Sequence, residues 1–479
     1  MAARRPHCNS FFFFIFLPIL ACAPYPIYTH AAHAEDSGKT VFQKPVEHAP
    51  EKRSESIRDI PPPDSDNFAR IADTFGADTA PKADVVPSRE ALPYVISSRY
   101  IRVALRQNVT KARFLSAGQV DILGGAHGAS MRGDLLVEIS GSSERVTVEN
   151  KTIGKWECAL PCTLLSKNEF NIIDYNGTGY RGSMILFAER RGSFTVVNFT
   201  LVEDYLRGVV PLEIGHCRPE EAEAVKAQAI AARTYTYKKV IEKHDQGFDL
   251  FPTISDQVYG GVAAENKLCN EAILSTVDRV MVCRDSLIYA YYHSTCGGKT
   301  ANIEDVWENK QPVSYLRSID DVDEQGAAFC GFSASFSWED AWPRSTLSSI
   351  VGKYSREVFP QNAAAGAIKD LAVNSRFSCG RARVLAVTTP SGTFRYGGDK
   401  IRFILRRNKS GFPILRSALI TDVFTSSGSI VVKGRGYGHG VGMCQYGAIG
   451  RARAGQSCEH ILKAYYTGVE LRKIEVARK

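Results

Sequence analysis

Beyond its first 34 residues the chain has no apolar run long enough to cross a membrane. No later stretch reaches 18 residues, against the roughly 20 that a spanning helix needs. A dominant charge is missing too. Lys and Arg number 59 and Asp and Glu 51, for a net charge of +8. This mild excess suits an anionic wall polymer or a membrane surface. It falls short of the basic footprint of a nucleic-acid binder, and no RNP, zinc-finger or helix-turn-helix signature adds to it, so no nucleic-acid partner is expected. There is no internal repeat. The glycines at 434–442 are spaced like a dinucleotide loop, but the strand-turn-helix setting and the later acidic residue are absent.

What is present is a core-forming composition. With 479 residues and 44% hydrophobic content, the chain suits two or three domains. Arg4 and Arg5 precede an apolar run at 11–23, and Ala32-His33-Ala34 follows as a small-x-small site. The run is too short for a span and reads as a secretory signal, 1–34, cleaved after Ala34. Ile19-Leu20-Ala21-Cys22 also loosely resembles a lipoprotein box, and an uncleaved run would be an anchor. The expected location is therefore exported: the periplasm or cell envelope, membrane-anchored if the signal is kept or lipidated. Of 12 Cys, Cys8 and Cys22 fall in this segment. The rest would meet an oxidising compartment, where some could pair. Cys158 and Cys162, flanking a turn with Pro161, form the best local pair; buried free thiols are the other reading.

Residues 35–93 are rich in charge and proline, with three prolines at 61–63. Such a stretch buries too little surface to offset its ordering entropy and reads as a disordered linker. From residue 94 the pattern changes. Ile101-Arg102-Val103-Ala104-Leu105, Leu135-Leu136-Val137-Glu138-Ile139 and Phe194-Thr195-Val196-Val197 alternate to different degrees between Gly, Ser and Asn turns, so 94–200 is expected to be β-rich and antiparallel. After Leu201 the period becomes helical. Pro219 followed by Glu220, Glu221 and Glu223 is a strong helix start, and 222–243 should be one helix of about six turns. The fold class is α+β: a mixed, largely antiparallel sheet core with packed helices. Residues 201–472 form the remaining domain.

Val202-Glu203-Asp204-Tyr205-Leu206-Arg207-Gly208-Val209-Val210-Pro211-Leu212-Glu213-Ile214 ends on a carboxylate among apolar neighbours. Such surroundings raise a carboxyl pKa, and a Glu tuned upward can deliver a proton to a leaving oxygen. A solvated Glu would look the same. Lys226 and Arg233 are seven apart and share one helix face. That face could line a cleft or be a solvated stripe.

The run ending at Glu213 and the run Ala224-Val225-Lys226-Ala227-Gln228-Ala229-Ile230-Ala231-Ala232-Arg233-Thr234-Tyr235 resemble the two signature blocks of the stage II sporulation protein D (SpoIID/LytB) family. Asp256-Gln257-Val258-Tyr259-Gly260-Gly261 is similar to its Gln-x-Tyr block. Tyr291-Tyr292-His293-Ser294-Thr295-Cys296-Gly297-Gly298-Lys299-Thr300 resembles its Ser-Thr-x-Gly-Gly block. Gly434-Arg435-Gly436-Tyr437-Gly438-His439-Gly440-Val441-Gly442-Met443-Cys444-Gln445-Tyr446-Gly447-Ala448 resembles its C-terminal glycine-rich block. The resemblance implies a peptidoglycan lytic transglycosylase that cuts between N-acetylmuramic acid and N-acetylglucosamine, in glycan already stripped of peptides, leaving 1,6-anhydromuramyl ends. It places the acid/base on Glu213 and substrate binding on Lys226 and Arg233. Gln257, Tyr292, His439 and Gln445 follow by membership of their blocks. Implied partners are glycan strands, an N-acetylmuramyl-L-alanine amidase and septal proteins.

Three departures stand out. Some members of the family hold zinc through a cluster that includes a His-Cys pair just before the Gln-x-Tyr block. Here those positions are Ser255-Asp256, and His293 and Cys296 offer two ligands where a structural zinc needs four. No metal and no cofactor are therefore expected, with His293 and Cys296 packed. Cys444 stands where Ser is usual. The stretch between Glu213 and Lys226 contains His216, which could tune Glu213 or be incidental. The rival to an enzyme is a non-catalytic wall-binding protein that stimulates an amidase, and a third reading is a septal scaffold.

Overall fold

The computed structural model describes residues 94–477, apart from 125–128, 140–143, 152–153, 169, 190–191, 243–246 and 412. The expected signal (1–34) and linker (35–93) lie outside the described residues. Ten strands between Tyr100 and Leu201 build one antiparallel sheet. Its longest strand, Lys111–Leu123, shows the reason. Ala112, Phe114 and Ser116 point inward while Lys111, Arg113 and Leu115 point out, as the two-residue pleat requires. Cys158 and Cys162 sit across the turn between strands Gly154–Ala159 and Cys162–Ser166 as buried free thiols, hydrogen-bonded to one another.

Leu201 ends the sheet and enters helix α1 (Val202–Ile214). A 3-10 turn, Pro219–Glu221, leads into helix α2 (Ala222–Glu242). Glu221 accepts the Arg218 N–H at 2.7 Å, satisfying a donor that a helix start leaves open. Ala224, Ala227, Ala229, Ala231 and Ala232 of α2 are fully buried. Side chains this small let neighbouring elements pack close on several sides of the helix. The two ends of the described chain meet, since Tyr94–Ile96 pairs in parallel with Glu470–Val476, which runs antiparallel to Arg279–Cys283.

Residues 337–435 build a second hydrophobic core around Trp338, Trp342, Leu347, Val351, Leu385 and Ile430. Strand Ser337–Pro343 pairs with Ser429–Arg435, so the segment leaves and returns through one antiparallel ladder. A three-stranded meander, Asp370–Arg376, Ala382–Thr389 and Gly392–Gly397, and helix Arg344–Val358 complete it. The fold is α+β and largely antiparallel, as expected. Among the described residues no helix is long and apolar enough to cross a membrane. One short parallel pair positions the site: Tyr292–His293 against Met443–Cys444, with Tyr292 opposite Met443 and His293 opposite Cys444. It joins the Ser-Thr block to the glycine-rich block.

Candidate active site

Glu213 sits in the last turn of α1, half-buried. Gly215 ends the helix at φ 78°, a left-handed region that an L side chain rarely adopts. The Val258 N–H donates to Glu213 Oε1 at 2.9 Å. The Tyr292 and Gln445 side chains also hydrogen-bond the carboxylate. Burial raises the Glu213 pKa, and these three hydrogen bonds oppose it without reversing it. The group is therefore a carboxylic acid that keeps its proton above the ordinary Glu range.

A second layer holds those partners. Gln257 is fully buried. Its Nε2 donates to the Tyr292 hydroxyl at 2.9 Å, and its Oε1 accepts from Thr236 at 2.9 Å and Tyr205 at 3.3 Å. With its oxygen engaged as acceptor, Tyr292 is left to donate its own proton toward Glu213. Gln445, the first residue of helix Gln445–Arg453, reaches Gln228 of α2 at 3.4 Å. Burial pushes the His439 pKa down to about 3, helped by the Arg402 and Arg381 charges. Its Nδ1 accepts the Val441 N–H at 3.1 Å. It is a neutral imidazole.

Glu213, Tyr292 and His439 line one cleft of about 320 Å³, with Tyr235, Asp256, Tyr291, His293 and Trp307. Trp307 lies 4.9 Å from the Tyr291 ring and 5.0 Å from the His439 ring, centroid to centroid. These flat faces can stack on the apolar faces of sugar rings. Asp256 is a second carboxylate in the cleft, but it is committed. It accepts from the Phe251 N–H at 2.9 Å and the Tyr235 hydroxyl at 3.1 Å, and pairs with Lys239 at 3.4 Å. A larger cavity, about 710 Å³, lies in the β-rich part beside Leu115, Arg132 and Asn150. None of the five sequence blocks reaches it.

Gln257, Tyr292, Gln445 and His439 thus gather around Glu213. The two helix cations do not line the cleft. Lys226 is half-exposed and pairs with Glu223 at 2.6 Å. Arg233 is fully buried and grips Glu203 through two 2.7 Å hydrogen bonds. His216 is exposed. Four of these cleft residues were not singled out in the sequence. Tyr235, Asp256 and Tyr291 lie inside the five sequence blocks, so block membership could have found them. Trp307 carries no such signal. His293 is buried as expected, and its Nδ1 lies 3.2 Å from the Val441 carbonyl. Its Nε2 has no partner among the described residues.

Residues 190–283, which carry Glu213, α2 and Gln257, match the family model described as stage II sporulation protein. The stage II sporulation protein D of Bacillus subtilis (strain 168) is 29% identical over 305 residues, covering 60% of this chain and 78% of that one. The chain thus carries a stage II sporulation protein domain at 190–283 and is similar to stage II sporulation protein D over 60% of its length. The amidase enhancer of the same organism is 30% identical over 293 residues, covering 56% of this chain and only 40% of that relative. An uncharacterized protein of Brachyspira hyodysenteriae is 29% identical over 297 residues, covering 62% of this chain and 73% of that one. Residues 330–442 match a second model, described as a domain of unknown function. That match spans the second core and runs on to His439, so Tyr292, His439 and Gln445 all lie outside the family model that holds Glu213.

Proposed function

We propose that this chain is an exported cell-wall enzyme, a lytic transglycosylase that cleaves the bond between N-acetylmuramic acid and N-acetylglucosamine in peptide-stripped glycan. The observation that carries the reading is a single available acid. Glu213 faces an aromatic-walled cleft with a raised pKa, while Asp256 beside it is tied to Lys239, Tyr235 and a backbone N–H. Ordinary glycosidases use two carboxyl groups. One suffices when the sugar supplies its own nucleophile. Glu213 gives its proton to the glycosidic oxygen as positive charge grows on the muramyl ring. The resulting carboxylate then takes the proton from the muramyl 6-hydroxyl, which closes onto the anomeric carbon. A 1,6-anhydro end forms and no water is consumed. Val258, Tyr292 and Gln445 stabilise the carboxylate between the two steps. A preceding amidase would supply the peptide-free substrate.

The test is amidase-treated peptidoglycan incubated with the protein or with Glu213→Ala, the products read by mass spectrometry. Anhydromuramyl ends from the wild type alone support the reading. Their absence from both, with glycan binding intact, would establish instead a non-catalytic wall-binding protein that stimulates a partner amidase.

The pH profile offers a second check. Tyr292→Phe removes a donor that favours the ionised form of Glu213, so the pKa rises further. The high-pH limb of kcat/KM should move to higher pH, while turnover falls on the order of tenfold through loss of about 1.4 kcal/mol of positioning. A limb that stays in place would separate Tyr292 from the acid.

A further inference from the structure

Cys296, Cys444 and the loop that carries both Asp321 and Cys330 are three separate places in the chain, yet the four donor atoms all lie within 4.8 Å of one another. All four residues are fully buried. Cys296 Sγ is 3.5 Å from Cys330 Sγ and 3.3 Å from Asp321 Oδ2. A disulfide needs roughly 2.05 Å. Around a tetrahedral zinc with bonds of about 2.3 Å to sulfur and about 2.0 Å to oxygen, the S···S edge is about 3.8 Å and the S···O edge about 3.5 Å. The observed separations fit the second geometry.

The surroundings point the same way. The N–H groups of Cys296 and Gly447 donate to Cys444 Sγ at 3.1 and 3.2 Å, and the Gly298 N–H donates to Cys296 Sγ at 3.3 Å. Backbone donors aimed at sulfur stabilise thiolates rather than thiols. Asp321 is oriented from behind by Arg451 Nε at 3.0 Å and the Tyr465 hydroxyl at 2.9 Å. Such outer partners are typical of metal ligands. Gly447 leaves the room, since a Cβ there would overlap Asp321 Oδ2 and the Tyr465 hydroxyl.

We propose that Cys296, Cys330, Cys444 and Asp321 form a closed four-ligand site for a structural Zn²⁺. Thiolates select a soft or borderline cation, and four protein ligands leave no open position for substrate or water. Sequence reading left Cys296 with His293 alone, because the true neighbours are as much as 148 positions away. The ion would pin the loop carrying Asp321 and Cys330 to the pair Tyr292–His293 and Met443–Cys444. Two ligands are near neighbours of the cleft, because Cys444 precedes Gln445 and Cys296 follows the Tyr292–His293 strand. The site is independent of the glycan reading, and its test does not use activity.

The full chain, purified under reducing conditions, should carry one zinc per molecule by elemental analysis. Cobalt exchanged into it should show a thiolate-to-metal charge-transfer band and the strong visible bands of a tetrahedral ion. Cys330→Ala should bind zinc at least tenfold more weakly. Should that variant fail to fold, a mercurial titrated into the unaltered protein should release zinc in step with thiol loss. Folded, reduced protein that takes up no stoichiometric zinc overturns the proposal. So does an intact mass lower by two hydrogens with a Cys296–Cys330 cross-link.

Discussion

Glu213→Gln should lower the release of anhydromuramyl products on the order of 10³-fold and leave the protein at least as stable as before. A positioned general acid contributes roughly 10²- to 10⁴-fold, and here one residue serves as acid and then as base, so both proton transfers fail together. Stability follows from the direction of the pKa shift. The folded Glu213 pKa is raised, first by burial, so the fold binds this proton more tightly than the unfolded chain does. The resulting stabilisation is complete below the unfolded Glu value and is lost as pH rises through the folded one. At neutral pH the ionised group is therefore a cost, and Gln, always neutral, avoids it. The amide oxygen can still accept the Val258 N–H seen at 2.9 Å. Thermal melts at neutral and mildly acidic pH check this. The variant should melt at or above the wild type when neutral, and this residue's share of the wild-type gain on acidification should vanish. A variant that keeps activity, or that melts lower at neutral pH, would remove Glu213 from the role of a destabilised acid.

Local structure was the most legible part of this molecule. The proline-then-acid start at Pro219 and the Ala-rich run after it place a helix at 222–243, and the structure has α2 at Ala222–Glu242 behind a 3-10 turn. Short alternating runs such as Ile101-Arg102-Val103 fall in strands because a one-sided sheet writes its pleat into the sequence. Glu213 was different. Its chemistry alone was ambiguous, and its neighbours Tyr292 and Gln445 lie 79 and 232 positions on. Only the ordered blocks tied them together. Two features stayed hidden. The second core at 337–435 uses the same strand and turn vocabulary as its surroundings, so no change of composition marks its borders. The Cys–Asp cluster depends on which loops meet, and no spacing rule covers ligands drawn from three distant segments.

The helix cations show how a correct periodicity can be joined to an open question of facing. Lys226 and Arg233 do share the sevenfold spacing, yet spacing says nothing about what that face meets. Arg233 meets Glu203, 30 positions upstream in the first turn of α1, through a two-pronged pair with both contacts at 2.7 Å. Two further N–H groups reach the carbonyls of Arg279 at 3.2 Å and Ile273 at 3.3 Å. The guanidinium thus ties α2 to α1, the helix whose last turn carries Glu213, and is not among the residues that line the cleft. Arg233→Ala should cost about 3–5 kcal/mol, because it strands the Glu203 charge and empties a packed site. In a chain of this size that is a drop on the order of 10 °C in melting temperature. Activity should fall in proportion to unfolded protein, with KM of the folded fraction little changed. The double replacement Arg233→Met with Glu203→Leu removes both charges together and should recover most of the stability, short of about 1 kcal/mol for each carbonyl left without its donor. If instead Arg233→Ala melts like the wild type while losing affinity for denuded glycan, and the double variant does not bind either, then Arg233 reaches the substrate and its pairing with Glu203 is not what fixes its role.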